Sequence, residues 1–162
     1  VIDARAEIWT VGHSSHPLHR FLDLLAAAGV TAIADVLSAP YSRRFRHFNR
    51  ESLRAALAEG GIAYVWLGDA LGGKRGEAAG PAPEAVAAAL DRLADGAGRY
   101  RLALMCAEAD PARCHRARLV APLLVDRGHP VRHLLADGRW SSTDLSRRGS
   151  PPLTGSTRDR KS

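Results

Sequence analysis

At 162 residues and 17.4 kDa the chain has the size of one ordinary domain, able to bury a core without disulfide or metal staples. No stretch approaches the roughly 18 apolar residues of a membrane span. The opening Val1-Ile2-Asp3-Ala4-Arg5-Ala6-Glu7 lacks the basic-then-apolar layout of a secretory signal, so a cytoplasmic protein with no membrane partner is expected. The formal charge of +6 excludes little by itself, because it is local. Five arginines (Arg43, Arg44, Arg46, Arg50, Arg54) face one acid, Glu51, between 43 and 54, and five more cations stand against two acids between 142 and 162. The first cluster reads either as an anion-binding track or as a solvated helix face, the second as a basic tail.

The elements alternate. Ile8-Trp9-Thr10-Val11 reads as a strand closed by Gly12, and Leu18, Phe21, Leu22, Leu24 and Leu25 recur at helical spacing before Gly29. A second strand is expected over 31–36, a helix around Leu53 and Leu57 ending at Gly60-Gly61, and a third strand over 62–67. A glycine-rich loop follows, then an alanine-rich helix over 84–95 and a fourth strand over 100–106. Asp110 as N-cap, Pro111 at the first helical position and Gly128 past the end predict a helix over 111–127, bent at Pro122; Val131 to Leu135 closes as strand five. Single helices between strands predict an α/β fold: a Rossmann-like three-layer sandwich, its mostly parallel five-stranded sheet carrying helices on both faces. One domain over 1–140 is expected, with a flexible basic tail over 141–162 that folding can dispense with.

In such sheets ligands bind beyond the carboxyl ends of the strands, and the polar chemistry of this sequence gathers there. Strand four delivers Cys106 and Glu108, and the next helix starts with Arg113, Cys114, His115 and Arg116 near its first turn. A helix N-terminus attracts anions, which allows several uses: a carboxylate nucleophile or base at Glu108, a thiolate at Cys106, an anion clamp from Arg113 and Arg116, or a metal on Cys106, Cys114 and His115. The spacing lacks the paired ligands of a zinc site, so neither metal nor cofactor is assigned. The cysteines read as free thiols, and both also suit a buried apolar role. After strand one, Gly12-His13-Ser14-Ser15 suits close approach to a phosphate or, equally, an ordinary helix cap. After strand two, Asp35 precedes Pro40 and a loop bearing Ser42, Arg43 and Arg44, with Tyr41, Phe45 and Phe48 interleaved among arginines. Such interleaving suits phosphates and stacked bases, or simple packing of Phe45 and Phe48 on one face.

Together, Val11-Gly12-His13-Ser14, Asp35-Val36 with Pro40 and Ser42-Arg43, Ile62-Ala63-Tyr64 leading to Leu71-Gly72-Gly73, and Leu104-Met105-Cys106-Ala107-Glu108 with Cys114-His115-Arg116 resemble the uncharacterised family known as domain of unknown function 488, over about 8–138. The resemblance implies a compact Rossmann-like domain and supplies no reaction. The family pattern carries arginine after Asp-Val where this chain has Leu37, an anion contact that Arg43 or Arg44 is placed to replace.

The functional expectation is an enzyme acting on a nucleotide or nucleic-acid base, at an N-glycosidic bond. Glu108 or Asp35 would be its carboxylate, and His13 or His115 its proton-handling group. Anion or nucleic-acid binding falls to Ser14, Ser42, Arg43, Arg44, Arg46, Arg113 and Arg116. Two alternatives stand beside it: a non-catalytic nucleic-acid binder, and phosphoryl or sulfur transfer by Cys106. The last is weakened by Arg113 lying one position beyond the spacing of a phosphatase loop.

Overall fold

The computed structural model describes residues 6–37, 39, 41–72, 82–108, 110 and 114–142, with the backbone alone for 115–118. Six strands, β1 (Ile8–Gly12), β2 (Ala32–Asp35), β3 (Ala63–Trp66), β4 (Leu102–Cys106), β5 (Val131–Leu134) and β6 (Trp140–Ser142), form one sheet in the order β3-β2-β4-β1-β5-β6. The first five run parallel; β6 pairs antiparallel with β5. Among the described residues five α-helices accompany them: α1 (Leu18–Ala28), α2 (Arg50–Glu59), α3 (Gly68–Leu71), α4 (Pro83–Arg99) and α5 (His115–Asp126).

The inner strands are buried along their whole length, as parallel strands covered on both faces must be. Their side chains divide by the two-residue period of a strand. Ala32, Ala34, Leu102, Leu104 and Ile8 join α4 (Ala89, Leu90, Leu93) and α5 (Val120, Ala121, Leu124) in one core. Trp9, Val11, Ile33, Ala103 and Met105 join α1 (Phe21, Leu24, Leu25) and α2 (Leu53, Leu57) in another. Helix α1 stops where expected: Gly29 takes the left-handed conformation (φ 71°), its N–H bonding the Ala26 carbonyl and that of Val30 the Leu25 carbonyl.

Two expectations are corrected. The sheet has six strands because the chain folds back after β5: Leu135 and Gly138 close a tight turn, with Gly138 at φ 87°, and β6 runs two residues past the predicted domain boundary. Residues 143–162 lie outside the described residues. Helix α5 is described from His115, with Cys114 at its cap; the expected start at Pro111 lies outside the described residues. Asp110 accepts the Cys114 N–H at its backbone carbonyl (3.0 Å), while its own N–H goes to the Glu108 carboxylate (3.0 Å). Helix α4 extends to Arg99, through two glycines.

A buried polar pair joins β1 and β5. Thr10 and His133 are neighbours in the β1–β5 register, with 2.7 Å between the hydroxyl and Nδ1. Burial pushes His133 down to about 4 from 6.5. Between those values the unfolded chain binds the additional proton, so stability that is full above the unfolded value is lost as pH falls toward the folded one. The expected loss across that window is roughly 3 kcal/mol. A urea-denaturation series against pH should show it, and His133→Gln should flatten that part of the profile. Equal slopes in the two proteins would remove His133 as the cause.

Candidate functional site

Neighbouring strands β1 and β4 send their connections opposite ways. The chain leaves β1 through α1 toward the β3 edge, and leaves β4 through α5 toward the β6 edge. The two helices accordingly lie on opposite faces, as the two cores show. Such a reversal opens a crevice beyond the carboxyl ends of the two strands, where ligands of open α/β sheets bind. Here the loops flanking it are bonded together: the His13 N–H donates to the Cys106 carbonyl (2.8 Å) and that of Ser14 to the Ala107 carbonyl (2.9 Å). Ser14 is held at φ 48°, the left-handed region, which is strained for a non-glycine residue.

A pocket of about 500 Å³ opens there, lined by His13, Ser14, Ser15, Leu37, Ala39, Tyr41, Ser42, Arg44, Phe45, Phe48 and Ala107. Its inner wall is aromatic. The buried His13 ring stacks on Phe48 with centroids 4.3 Å apart and 23° between planes, and Phe48 is braced edge-on by Phe21 at 5.2 Å. His13 Nδ1 lies 2.8 Å from the Ser14 carbonyl. A carbonyl only accepts, so Nδ1 carries the proton. On the outer wall, the Ser42 hydroxyl accepts the N–H groups of Arg44 (3.2 Å) and Phe45 (3.0 Å), and the Ser42 N–H is held by the Asn49 side chain (2.6 Å). This turn sets Arg44 on the rim, its guanidinium 5.2 Å from the Phe45 ring.

The pocket floor depends on Asp35. Its carboxylate is fully buried and accepts the Leu37 N–H (3.0 Å) and the Tyr64 hydroxyl (2.6 Å). Burial, reinforced by that bond to Asp35, raises the Tyr64 phenol above its ordinary range. Trp66 donates to the Leu37 carbonyl (2.7 Å), so Leu37 is anchored at its N–H by Asp35 of β2 and at its carbonyl by Trp66 of β3. Asp35 thus lies beneath the pocket lining rather than in it.

Of the other residues singled out in the sequence, His13, Ser14, Ser42 and Arg44 meet in the pocket. Glu108 is exposed on the loop just after the lining residue Ala107, and Arg43 and Arg46 are exposed beside the rim. Arg50 and Arg54 lie against aromatic faces, 5.0 Å from Trp66 and 6.0 Å from Tyr64, which uses both in packing β3. Cys106 is buried, its thiol directed at the Glu108 carbonyl (3.3 Å), and it is not among the lining residues. His115 and Arg116 stand in the first turn of α5; Arg113 lies outside the described residues. Among the described residues no cluster of three metal-ligating side chains occurs and no helix is long and apolar enough to cross a membrane.

Sequence reasoning missed the two histidines behind the wall. The His47 ring lies 4.2 Å from Phe48 and its Nε2 is 2.9 Å from the His16 carbonyl. Burial, with Arg20 adding to it, lowers the pKa of His16. Their only sequence signal was proximity: His16 follows the His13 loop, and His47 precedes Phe48.

Neither the curated proteins nor the solved structures give a match to the chain. A family model does, over residues 17–83 and 77–124, a span that takes in the Asp35 strand, the Ser42–Phe48 wall of the pocket and the Cys106–Glu108 loop. The chain therefore belongs to the family described as Domain of unknown function DUF488.

Proposed function

We propose that this chain is a Rossmann-like enzyme that binds a nucleotide, or a base of a nucleic acid, in the switch-point pocket and cleaves its N-glycosidic bond. The observation that carries the reading is the pairing, in one cleft, of a planar aromatic wall (His13 on Phe48) with a cation and hydroxyls on the rim (Arg44, Ser14, Ser42). A base presents a flat apolar face with polar edges and a phosphate presents an anion, so the two halves of the pocket suit the two halves of a nucleotide. Leu37 gives the floor an apolar surface where the family pattern carries a cation, and Arg44 supplies the charge from the facing loop.

In the reaction, breaking the bond between sugar and base leaves a cationic sugar carbon and a base that needs a proton. With Nδ1–H on the Ser14 carbonyl, His13 would donate that proton from Nε2 in its imidazolium form and be left as the neutral Nδ1–H tautomer. Glu108, one residue past the lining residue Ala107, would take the proton of the attacking water. Asp35 has a supporting part, holding the floor.

Titration with nucleoside monophosphates, free bases and short oligonucleotides, followed by thermal shift and by release of free base, tests the proposal. Arg44→Ala should weaken phosphate-bearing ligands roughly tenfold. His13→Ala should slow base release by about 10²-fold or more while ligand still binds. Binding that depends on Arg43, Arg44 and Arg46 with no release of free base would reject catalysis and leave a nucleic-acid-binding protein. No stabilisation by any of these ligands would reject the site.

A further inference from the structure

We propose that Cys106 and Cys114 form a reversible intramolecular disulfide, a redox-modification site tying the end of β4 to the start of α5. They are the only two cysteines of the chain, and the fold brings them together: the Cys114 thiol donates to the Cys106 sulfur across 3.0 Å. That is about 1 Å beyond a covalent S–S bond, so closure needs only a small side-chain adjustment. Both lie in the core under α4 and α5, 5 % and 2 % exposed. No third cysteine competes within the chain, and burial disfavours pairing between chains.

The oxidant fitting so enclosed a pair is a small peroxide. One thiolate attacks a peroxide oxygen, the O–O bond breaks, and the departing hydroxide takes a proton to become water; the sulfur is left as a sulfenic acid. The second thiolate then attacks that sulfur, the S–O bond breaks, and a second water leaves. Overall two thiols and hydrogen peroxide give one disulfide and two waters: both sulfurs are oxidised and the peroxide is reduced. A dithiol reductant reverses the step by thiol–disulfide exchange.

The bond would close a ring over residues 106–114, which contains Ala107 of the pocket wall and Glu108. The Cys106 carbonyl also receives the His13 N–H, so the tie acts on the loop pair that frames the pocket. It does not rest on the nucleotide reading.

The test uses the full chain, reduced, desalted and treated with an equivalent of hydrogen peroxide, then alkylated in denaturant and digested with trypsin. Cleavage after Arg101, Arg113 and Arg116 puts the cysteines on separate peptides, 102–113 and 114–116. The expected product is these two peptides cross-linked in a monomeric protein and split by dithiothreitol, with slower amide exchange at Ala107 and Glu108 in the oxidised form. In Cys114→Ser, dimedone should trap a sulfenic acid at Cys106. If that variant fails to fold, the wild-type peptide map still decides. Recovery of both thiols fully alkylated, cross-links mainly between chains, or sulfinic acid without a disulfide would overturn the proposal.

Discussion

Asp35→Ala should cost about 3 kcal/mol of folding stability, since it strands two donors in the interior, each worth roughly 1–3 kcal/mol when unmatched. Those donors are the Tyr64 hydroxyl and the Leu37 N–H, both within 3.0 Å of the carboxylate. Tyr64→Phe should cost less, near 1 kcal/mol, because it removes a donor and leaves Asp35 its backbone bond. In a double-mutant cycle the two changes should be strongly non-additive. Denaturation of the three variants in urea measures this. A loss below about 0.5 kcal/mol for Asp35→Ala, the range of ordinary surface changes, would mean that the pocket floor does not depend on the carboxylate.

The second large effect is expected at Gly68, the first residue of α3. A methyl group there would sit 1.7 Å from the Leu37 carbonyl oxygen and 2.5 Å from Trp66 Nε1, the acceptor and donor of the bond that anchors the floor. The nearest obstacle is backbone and cannot swing aside, so β2 and β3 must move apart at their carboxyl ends. Gly68→Ala should therefore destabilise by 3 kcal/mol or more, at the high end of single substitutions, and lower the melting temperature by roughly 10 °C. Gly61→Ala makes a useful contrast. It has nothing within 4 Å but holds φ at 73°, so its cost is confined to backbone strain of about 1–2 kcal/mol. Equal effects at the two sites would contradict the close approach described here.

Where local pattern and tertiary structure agree, the sequence was readable. Strands β1, β2 and β4 announce themselves as unbroken apolar runs because both faces are covered, and Gly29 ends α1 because the left-handed turn needs it. The sixth strand was missed although Asp137-Gly138 is a hairpin signal: Trp140-Ser141-Ser142 is short and polar, and only its pairing to β5 makes it a strand. Asp110-Pro111 satisfies every local rule for a helix cap, and Asp110 does accept the Cys114 N–H four positions on, while α5 is described only from His115 and residues 111–113 lie outside the described residues.

The site divides in the same way. Topology alone puts His13, Ser14 and the Ser42–Arg44 turn at one edge, which the alternation of strands and helices already implied. What the sequence cannot separate is a polar residue that faces a ligand from one that holds the wall. Asp35 and His13 both follow apolar runs, yet Asp35 is satisfied by Tyr64, 29 positions away, and His13 reaches the pocket. Likewise Arg50 and Arg54 belong to the same basic run as Arg44, but aromatic partners on β3 take them up.

The most direct test of the central claim, that the β1–β4 switch point is a nucleotide-binding site, is a map of backbone amide shifts by NMR during titration with a nucleoside monophosphate and with a short single-stranded oligonucleotide. The predicted result is saturable perturbation concentrated at His13, Ser14, Ser42, Arg44, Phe45 and Ala107, its midpoint moved to roughly tenfold higher ligand concentration in Arg44→Ala. Perturbation spread over the exposed arginines without His13, Ser14 or Ala107, or none at all, would contradict it.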